Sequence, residues 1–221
     1  MTDDAAPGTI LVLPGGAYQH LSDKEAEPVA EWIRSLGWDA RVVRYPLRAR
    51  HPEPLGFIRA QIEAERDAGA ALVGVLGFSA GGHLAGHAAF APDSTPDQRP
   101  DFAVLCYPVV SMLASTHEGS RHNLIGADAD DDLRAATSLE RLVTPEAPPV
   151  FLWHTAVDEA VLITEHAYPL ATALHAHGVP HELHTFYEGE HGVAMRDDIP
   201  AKQWMPLCAE WLARIARRAG A

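Results

Sequence analysis

Apolar residues along the chain gather in short runs, and amphipathic stretches separate one run from the next. Thr9–Leu13, Leu72–Leu76, Phe102–Tyr107 and Val150–His154 are continuous apolar segments with the length and β-branched content of buried strands. Ala40–Tyr45 and His181–Tyr187 read as two more strands. Between them lie helical patterns. Ser22 and Glu25 form an S-x-x-E capping box that predicts a helix to about Leu36, stopped by Gly37. Further helices are expected over Leu55–Ala68, Gly82–Phe90, Leu133–Leu142 and Leu162–His177, with Pro169 bending the last or marking a late start. The final helix, Ala201–Arg218, carries Trp204, Leu207, Cys208, Trp211, Leu212 and Ile215 at three-and-four spacing, a core-facing stripe. Strand and helix alternate from end to end, which predicts βαβ crossovers and a mainly parallel sheet covered on both faces. No repeat, linker or shift of composition divides 1–221, so one domain is expected.

Ser111–Asp132 breaks the pattern. It loses periodicity and turns polar, and it is too long for a bare connection, so it is expected to shape the rim of a pocket. The acidic run Asp128, Asp130, Asp131 and Asp132 reads as a solvated face or a helix start.

Composition adds exclusions. The formal net charge is −13, which argues against nucleic acid or an anionic membrane as partner, since both need a basic face. No apolar run is long enough to span a membrane. Met1–Pro7 lacks the basic start and apolar region of a signal peptide, so a cytoplasmic location is expected. The two cysteines, Cys106 and Cys208, fall on apolar faces and read as small buried hydrophobes, not a disulfide framework.

The chemistry centres on Gly77-Phe78-Ser79-Ala80-Gly81, a G-x-S-x-G pentapeptide. Glycine-rich turns are common, and what distinguishes this one is its setting: a strand leads in and a small-residue helix leads out. In such an elbow the serine is strained and its oxygen stands at a helix start, where N–H groups favour negative charge. Ser79 is the candidate nucleophile. A serine needs a base, and the base needs a third group to fix its tautomer. Catalytic groups gather at the carboxyl ends of parallel strands, which selects His191 from 13 histidines and Asp158 as the acid, with the adjacent Glu159 as its rival. The glycines of Pro14-Gly15-Gly16-Ala17 can turn backbone N–H groups to a substrate, so the oxyanion donors are expected at Ala80 and at Gly16 or Ala17. Tyr18, beside those glycines, and His122, in the polar stretch, are expected substrate contacts. His83 and His87 have the spacing of a zinc helix, but Leu84 stands where that motif needs Glu, so His83 is expected to pack under the elbow and no metal or cofactor is expected.

With these residues assembled, the sequence resembles the α/β-hydrolase superfamily and, within it, the acetyl esterase and acetylxylan or feruloyl esterase-like group. Leu13–Tyr18 (LPGGAY) resembles the glycine-rich oxyanion motif, Gly77–Ala85 (GFSAGGHLA) the nucleophile motif and His154–Asp158 (HTAVD) the acid motif. Cys106–Met112 and Thr116–Gly126 match internal segments of that group, and the similarity runs from about Thr9 to Trp211. The chain departs from the pattern in three places. Leu13-Pro14 replaces a histidine before the oxyanion glycines, Leu162 replaces the proline after the acid, and the segment from Tyr45 to the elbow is short.

The resemblance implies an α/β-hydrolase fold with minimal cap and a serine carboxylesterase acting on small, short-acyl esters, acetyl esters of carbohydrate foremost. A peptidase or amidase with the same triad is the second reading. A binding protein that keeps the fold without turnover is the third.

Overall fold

The structure is a computed structural model whose description covers residues 6–113 and 115–219; Met1–Ala5, read above for leader character, lies outside it. Among the described residues six strands form the sheet: β1 (Thr9–Leu13), β2 (Asp39–Val42), β3 (Val73–Phe78), β4 (Phe102–Cys106), β5 (Val150–Thr155) and β6 (His181–Phe186). All neighbours are parallel, in the order β2-β1-β3-β4-β5-β6. The four inner strands are buried at every position, while β2 and β6, at the edges, are half exposed.

Side chains along the inner strands alternate between two cores, as the strand period of two requires. Leu11, Leu13, Val75, Leu105 and Leu152 enter one core with α2 (Glu53–Asp67), α3 (Ser79–Phe90) and α7 (Ala167–Ala176). Ile10, Val12, Leu76, Val104 and Phe151 enter the other with α1 (Glu27–Ser35) and α8 (Trp204–Ala219). With apolar partners on both faces, these strands have no solvent side, and that is why they read as continuous apolar runs.

Several boundaries differ from expectation for local reasons. β3 runs on to Phe78 and α3 begins at Ser79 itself, so strand and helix meet with no connecting residue. β2 ends at Val42, and the chain beyond it turns inward to bury Tyr45, whose hydroxyl donates to the Pro14 carbonyl at 2.6 Å. Pro169 sits in the first turn of α7, where a missing N–H breaks no helical bond, and it marks a late start. The Ser22–Glu25 capping box is not made: Ser22 forms no side-chain cap, Asp23–Glu25 is a single 3₁₀ turn, and α1 starts at Glu27. Glu25 is instead turned inward and 3 % exposed. Ser111–Asp132 is less irregular than its polarity indicated. It contains α4 (Glu118–Ile125) and leads into α5 (Asp131–Ala136), where the Asp130 carboxylate caps the helix by accepting from the Leu133 N–H at 2.8 Å. The short α6 (Leu139–Leu142) follows.

The pairing Leu13 with Gly77, Phe78 with Cys106, Cys106 with Trp153 and Thr155 with Phe186 brings the carboxyl ends of five strands to one edge of the sheet. The segments that begin at Pro14, Ser79, Tyr107, Ala156 and Tyr187 all leave from that edge.

Candidate active site

Ser79 has φ of 51°, the left-handed region that a side chain enters only at a cost of about 1–3 kcal/mol. The surroundings compel it. A Cβ on Gly77 would stand 2.3 Å from the Gly81 carbonyl oxygen, and one on Gly81 would stand 2.1 Å from that of Leu13. Strand and helix are in backbone contact at this point, and only glycine two residues either side permits it. The Ser79 carbonyl is fixed in turn by the Val109 N–H at 3.0 Å.

Asp158 lies in the loop after β5 with its side chain fully buried. Its Oδ1 accepts from the N–H groups of Ala160 and Val161, both at 2.9 Å. Its Oδ2 accepts from Nδ1 of His191, in the loop after β6, at 2.6 Å. A carboxylate only accepts, so Nδ1 carries the proton and Nε2 has a free lone pair. The Ser79 hydroxyl donates to that Nε2 at 2.8 Å. Burial works against charge on Asp158, but the bonds from His191 and Val161 outweigh it and hold the carboxyl below its ordinary value. Glu159, the rival acid, is exposed and points to a different cavity.

The loop after β1 carries three successive residues at positive φ: Gly16 at 132°, Ala17 at 54° and Tyr18 at 60°. The Gly16 carbonyl accepts from the N–H groups of Gln19 and His20, at 2.9 and 3.1 Å, which closes the turn. Gly16, Ala17, Ser79 and His191 share the wall of one cavity of about 290 Å³, with His20, Ser22, Lys24, Glu25, His117 and Gly192. Ala80 is the second residue of α3, so its N–H is among those a helix leaves without an intrahelical partner. A larger cavity of about 550 Å³ lies on the other side of His191, which also lines it, with Val157, Glu159, Ala160, Glu188, Gly189 and Glu190; Ser79 is not on its wall.

Two expected contacts are corrected. Tyr18 is fully buried, and its hydroxyl donates to Nδ1 of His83 at 2.7 Å, so its side chain supports the loop from beneath and is not on the cavity wall. His122 is exposed on α4, where its carbonyl accepts from Arg50, and it is not on the cavity wall. The histidine of this polar segment that does reach the wall is His117, at the start of the same helix. Its Nδ1 accepts from the Ser120 N–H at 3.2 Å, which leaves the proton on Nε2. Its ring lies nearly parallel to His191, 6.5 Å between centroids. Burial and the neighbouring His191 push its imidazole below its ordinary value.

His83 packs under the elbow with both nitrogens used: Nδ1 accepts from Tyr18, and Nε2 donates to the Thr137 carbonyl at 2.7 Å. His87 stacks on His51 at 5.2 Å. Among the described residues no three His, Cys, Asp or Glu side chains are grouped to hold a metal, and no helix is long and apolar enough to cross a membrane. Cys106 and Cys208 are both buried free thiols. The His191 loop is held from below by Trp204, whose indole N–H donates to the Ala194 carbonyl at 2.9 Å and whose ring stacks on Trp153 at 5.3 Å.

Residues 57–218 match the family model described as the prolyl oligopeptidase family. The chain belongs to that family. The chain has the α/β-hydrolase fold, and a solved α/β-hydrolase enzyme from a Medee basin deep-sea metagenome library superposes with a TM-score of 0.79 at 27 % identity, over 98 % of this chain and 88 % of that one. A solved acetyl ester-xyloside bifunctional hydrolase from Caldicellulosiruptor lactoaceticus superposes with a TM-score of 0.89 at 36 % identity, over 97 % of this chain and 85 % of that one. In sequence, the chain is 32 % identical to endo-1,4-beta-xylanase B of Butyrivibrio fibrisolvens over 217 residues, which is 89 % of this chain and 34 % of that protein. It is 29 % identical to an acetylxylan esterase of Xylanibacter ruminicola over 195 residues, 83 % of this chain and 40 % of that one. The prolyl oligopeptidase-family chain described here thus spans between a third and two fifths of the length of the curated relatives it matches.

Proposed function

We propose that this chain acts as a single hydrolase domain, a serine carboxylesterase that removes short acyl groups, acetyl foremost, from hydroxylated alcohols such as carbohydrate. The observation that carries the reading is the hydrogen-bonded series Ser79–His191–Asp158, at 2.8 and 2.6 Å, opening onto a polar cavity. Ser79 Oγ attacks the ester carbonyl and forms the C–O bond as its proton passes to Nε2 of His191. Asp158 keeps Nδ1 protonated and stabilises the imidazolium. The oxyanion is held by the N–H of Ala80 and by that of Gly16 or Ala17. The tetrahedral adduct collapses, the C–O bond to the alcohol breaks, and His191 returns the proton to the departing oxygen. Water then repeats the sequence on the acyl-serine and frees the acid.

The polar cavity supports the substrate class. His20, Ser22, Lys24 and His117 face the same space as Ser79, and none of the lining residues is a large apolar side chain. The Nε2–H of His117 can donate to an alcohol oxygen. The named relatives include an acetylxylan esterase and an acetyl ester-xyloside hydrolase. The description of the matched family favours peptide hydrolysis as a second reading, since the same three groups cleave amides.

The test is labelling by a fluorophosphonate probe, followed by turnover of an aryl acetate and of the matching anilide. Labelling of wild type that Ser79→Ala and His191→Ala both abolish, with the acetate hydrolysed faster, is the expected result. Faster cleavage of the anilide selects the peptidase reading. No labelling of the folded wild-type protein overturns catalysis altogether.

A further inference from the structure

Glu25 is a carboxylate where burial should be unfavourable. It is 3 % exposed, and among the described residues no Lys, Arg or His nitrogen lies within 4.0 Å of its carboxylate oxygens. An isolated buried carboxylate is costly unless its oxygens are taken up by donors. Here both are. Oε2 accepts from the backbone N–H of Gly15 at 2.9 Å, ten residues back. Oε1 accepts from the hydroxyl of Tyr107 at 2.6 Å, 82 residues ahead.

Each donor belongs to a different wall of the site. Gly15 opens the loop after β1, and a Cβ on it would stand 3.0 Å from Cβ of Ser79. Tyr107 follows β4, and its oxygen also accepts from the Ala194 N–H at 3.0 Å, three residues past His191. The Tyr107 ring meets the His191 ring edge-on, 5.1 Å between centroids. Tyr107 itself sits at φ of 35°, an uncommon conformation for a tyrosine. One carboxylate therefore spans the loop expected to bind the oxyanion and the loop that carries His191. Burial first, and then the charge of Glu25, push the Tyr107 phenol well above its ordinary value, which keeps it a donor.

We propose that Glu25 is a positioning residue that sets the distance between the oxyanion loop and the His191 loop, with Tyr107 as the connecting strut. It touches no reacting atom and acts through the backbone of Gly15 and Ala194. The inference rests on the esterase reading of the site. The engaged Gly15 N–H also explains why the oxyanion donor on this loop falls to Gly16 or Ala17. That peptide plane is already committed to Glu25.

The experiment compares Glu25→Gln, Tyr107→Phe and the double variant, with the exposed Glu27→Gln as control. Steady-state kinetics on an aryl acetate, the rate of fluorophosphonate labelling, and thermal unfolding are measured on each. A glutamine cannot accept from both partners, and phenylalanine removes the strut while leaving the ring. Misplacing catalytic groups by a fraction of an ångström to an ångström costs up to about 10²-fold in rate. The expected result is a kcat loss on the order of 10- to 100-fold in each single variant, with KM changed by less than about 2-fold. Labelling slows in parallel, and the double variant is no worse than the more impaired single one. A lower melting temperature with kcat unchanged, or additive losses in the double variant, overturns the proposal. If Glu25→Gln does not fold, Tyr107→Phe alone decides by the same split between kcat and KM. Absence of labelling in wild type strikes instead at the esterase reading, so the two failures are separable.

Discussion

The side-chain amide of Asn123 donates to the carbonyl oxygen of Ala17 at 2.8 Å, joining α4 to the loop after β1 across 106 residues of chain. The bond holds Ala17 at its positive φ from outside the loop. A neutral hydrogen bond of this kind is worth about 1 kcal/mol net. Asn123→Ala is therefore expected to lower kcat/KM on an aryl acetate by about fivefold, and Asn123→Asp by more, because a carboxylate cannot donate and faces a carbonyl. Equal activity in all three proteins would mean that the loop holds its shape unaided.

Asp158→Asn tests tautomer control. The two backbone N–H groups at 2.9 Å will orient the amide oxygen toward Ala160 and Val161, which presents the amide NH₂ to Nδ1 of His191. His191 then carries its proton on Nε2 and cannot accept from Ser79, so kcat should fall by about 10⁴-fold with the fold intact. Glu159→Gln, on an exposed side chain, should change kcat little. Kinetics beside a circular dichroism spectrum check both.

These two sites also mark what could be read from the chain in advance. The elbow was legible because its requirements are local: a strand, a close approach at Gly77 and Gly81, a helix. Asp158 and His191 were legible from topology, since β5 and β6 deliver their loops to the same edge of the sheet. Glu25 was not. Ser22-x-x-Glu25 fits a capping box as well as any true one, and its real partners stand 10 and 82 residues away. A uniformly polar stretch offers no periodicity that separates His117 from His122. Only the start of α4 at Glu118 shows which histidine turns to the cavity. The glycines beside Tyr18 suggest a substrate contact, though positive φ at Ala17 and Tyr18 turns its ring into the core.

Stability should fall on acidification. Burial, partly offset by the bond to Thr137, lowers the His83 pKa to about 4, and burial together with His154 lowers that of His166 to about 3. Each is neutral in the folded protein over a range in which the unfolded chain, with an ordinary histidine value near 6.5, takes up a proton. The unfolded state therefore binds more protons below about pH 6.5, and stability declines from there down through pH 4 and toward 3. Protonating His166 would set an N–H against the Val110 and Ser111 N–H groups that its Nδ1 now accepts, at 3.0 and 3.3 Å. The melting temperature should drop between pH 7 and pH 4, and His166→Gln should flatten that slope. A melting temperature level across this interval would contradict the assignment.

Acyl length tests the character of the cavity. Each methylene buried in an apolar trough gains about 0.8 kcal/mol, and polar groups left unpaired against an alkyl chain are costly. With His20, Ser22, Lys24 and His117 on the wall, kcat/KM should fall from acetyl to octanoyl esters of one alcohol. A steady rise toward octanoyl would reveal a lipase-like trough.

The contact between Trp204 and Ala194 gives the protein an optical readout of its own. The indole N–H is bound to the backbone three residues past His191, and the ring is sandwiched into the Trp153 stack away from water. If the His191 loop detaches while the sheet stays folded, this N–H meets solvent first and tryptophan emission shifts to the red. Titrating denaturant while following both emission and hydrolysis would then show whether activity disappears at the loop's own transition, ahead of the unfolding seen by far-ultraviolet circular dichroism.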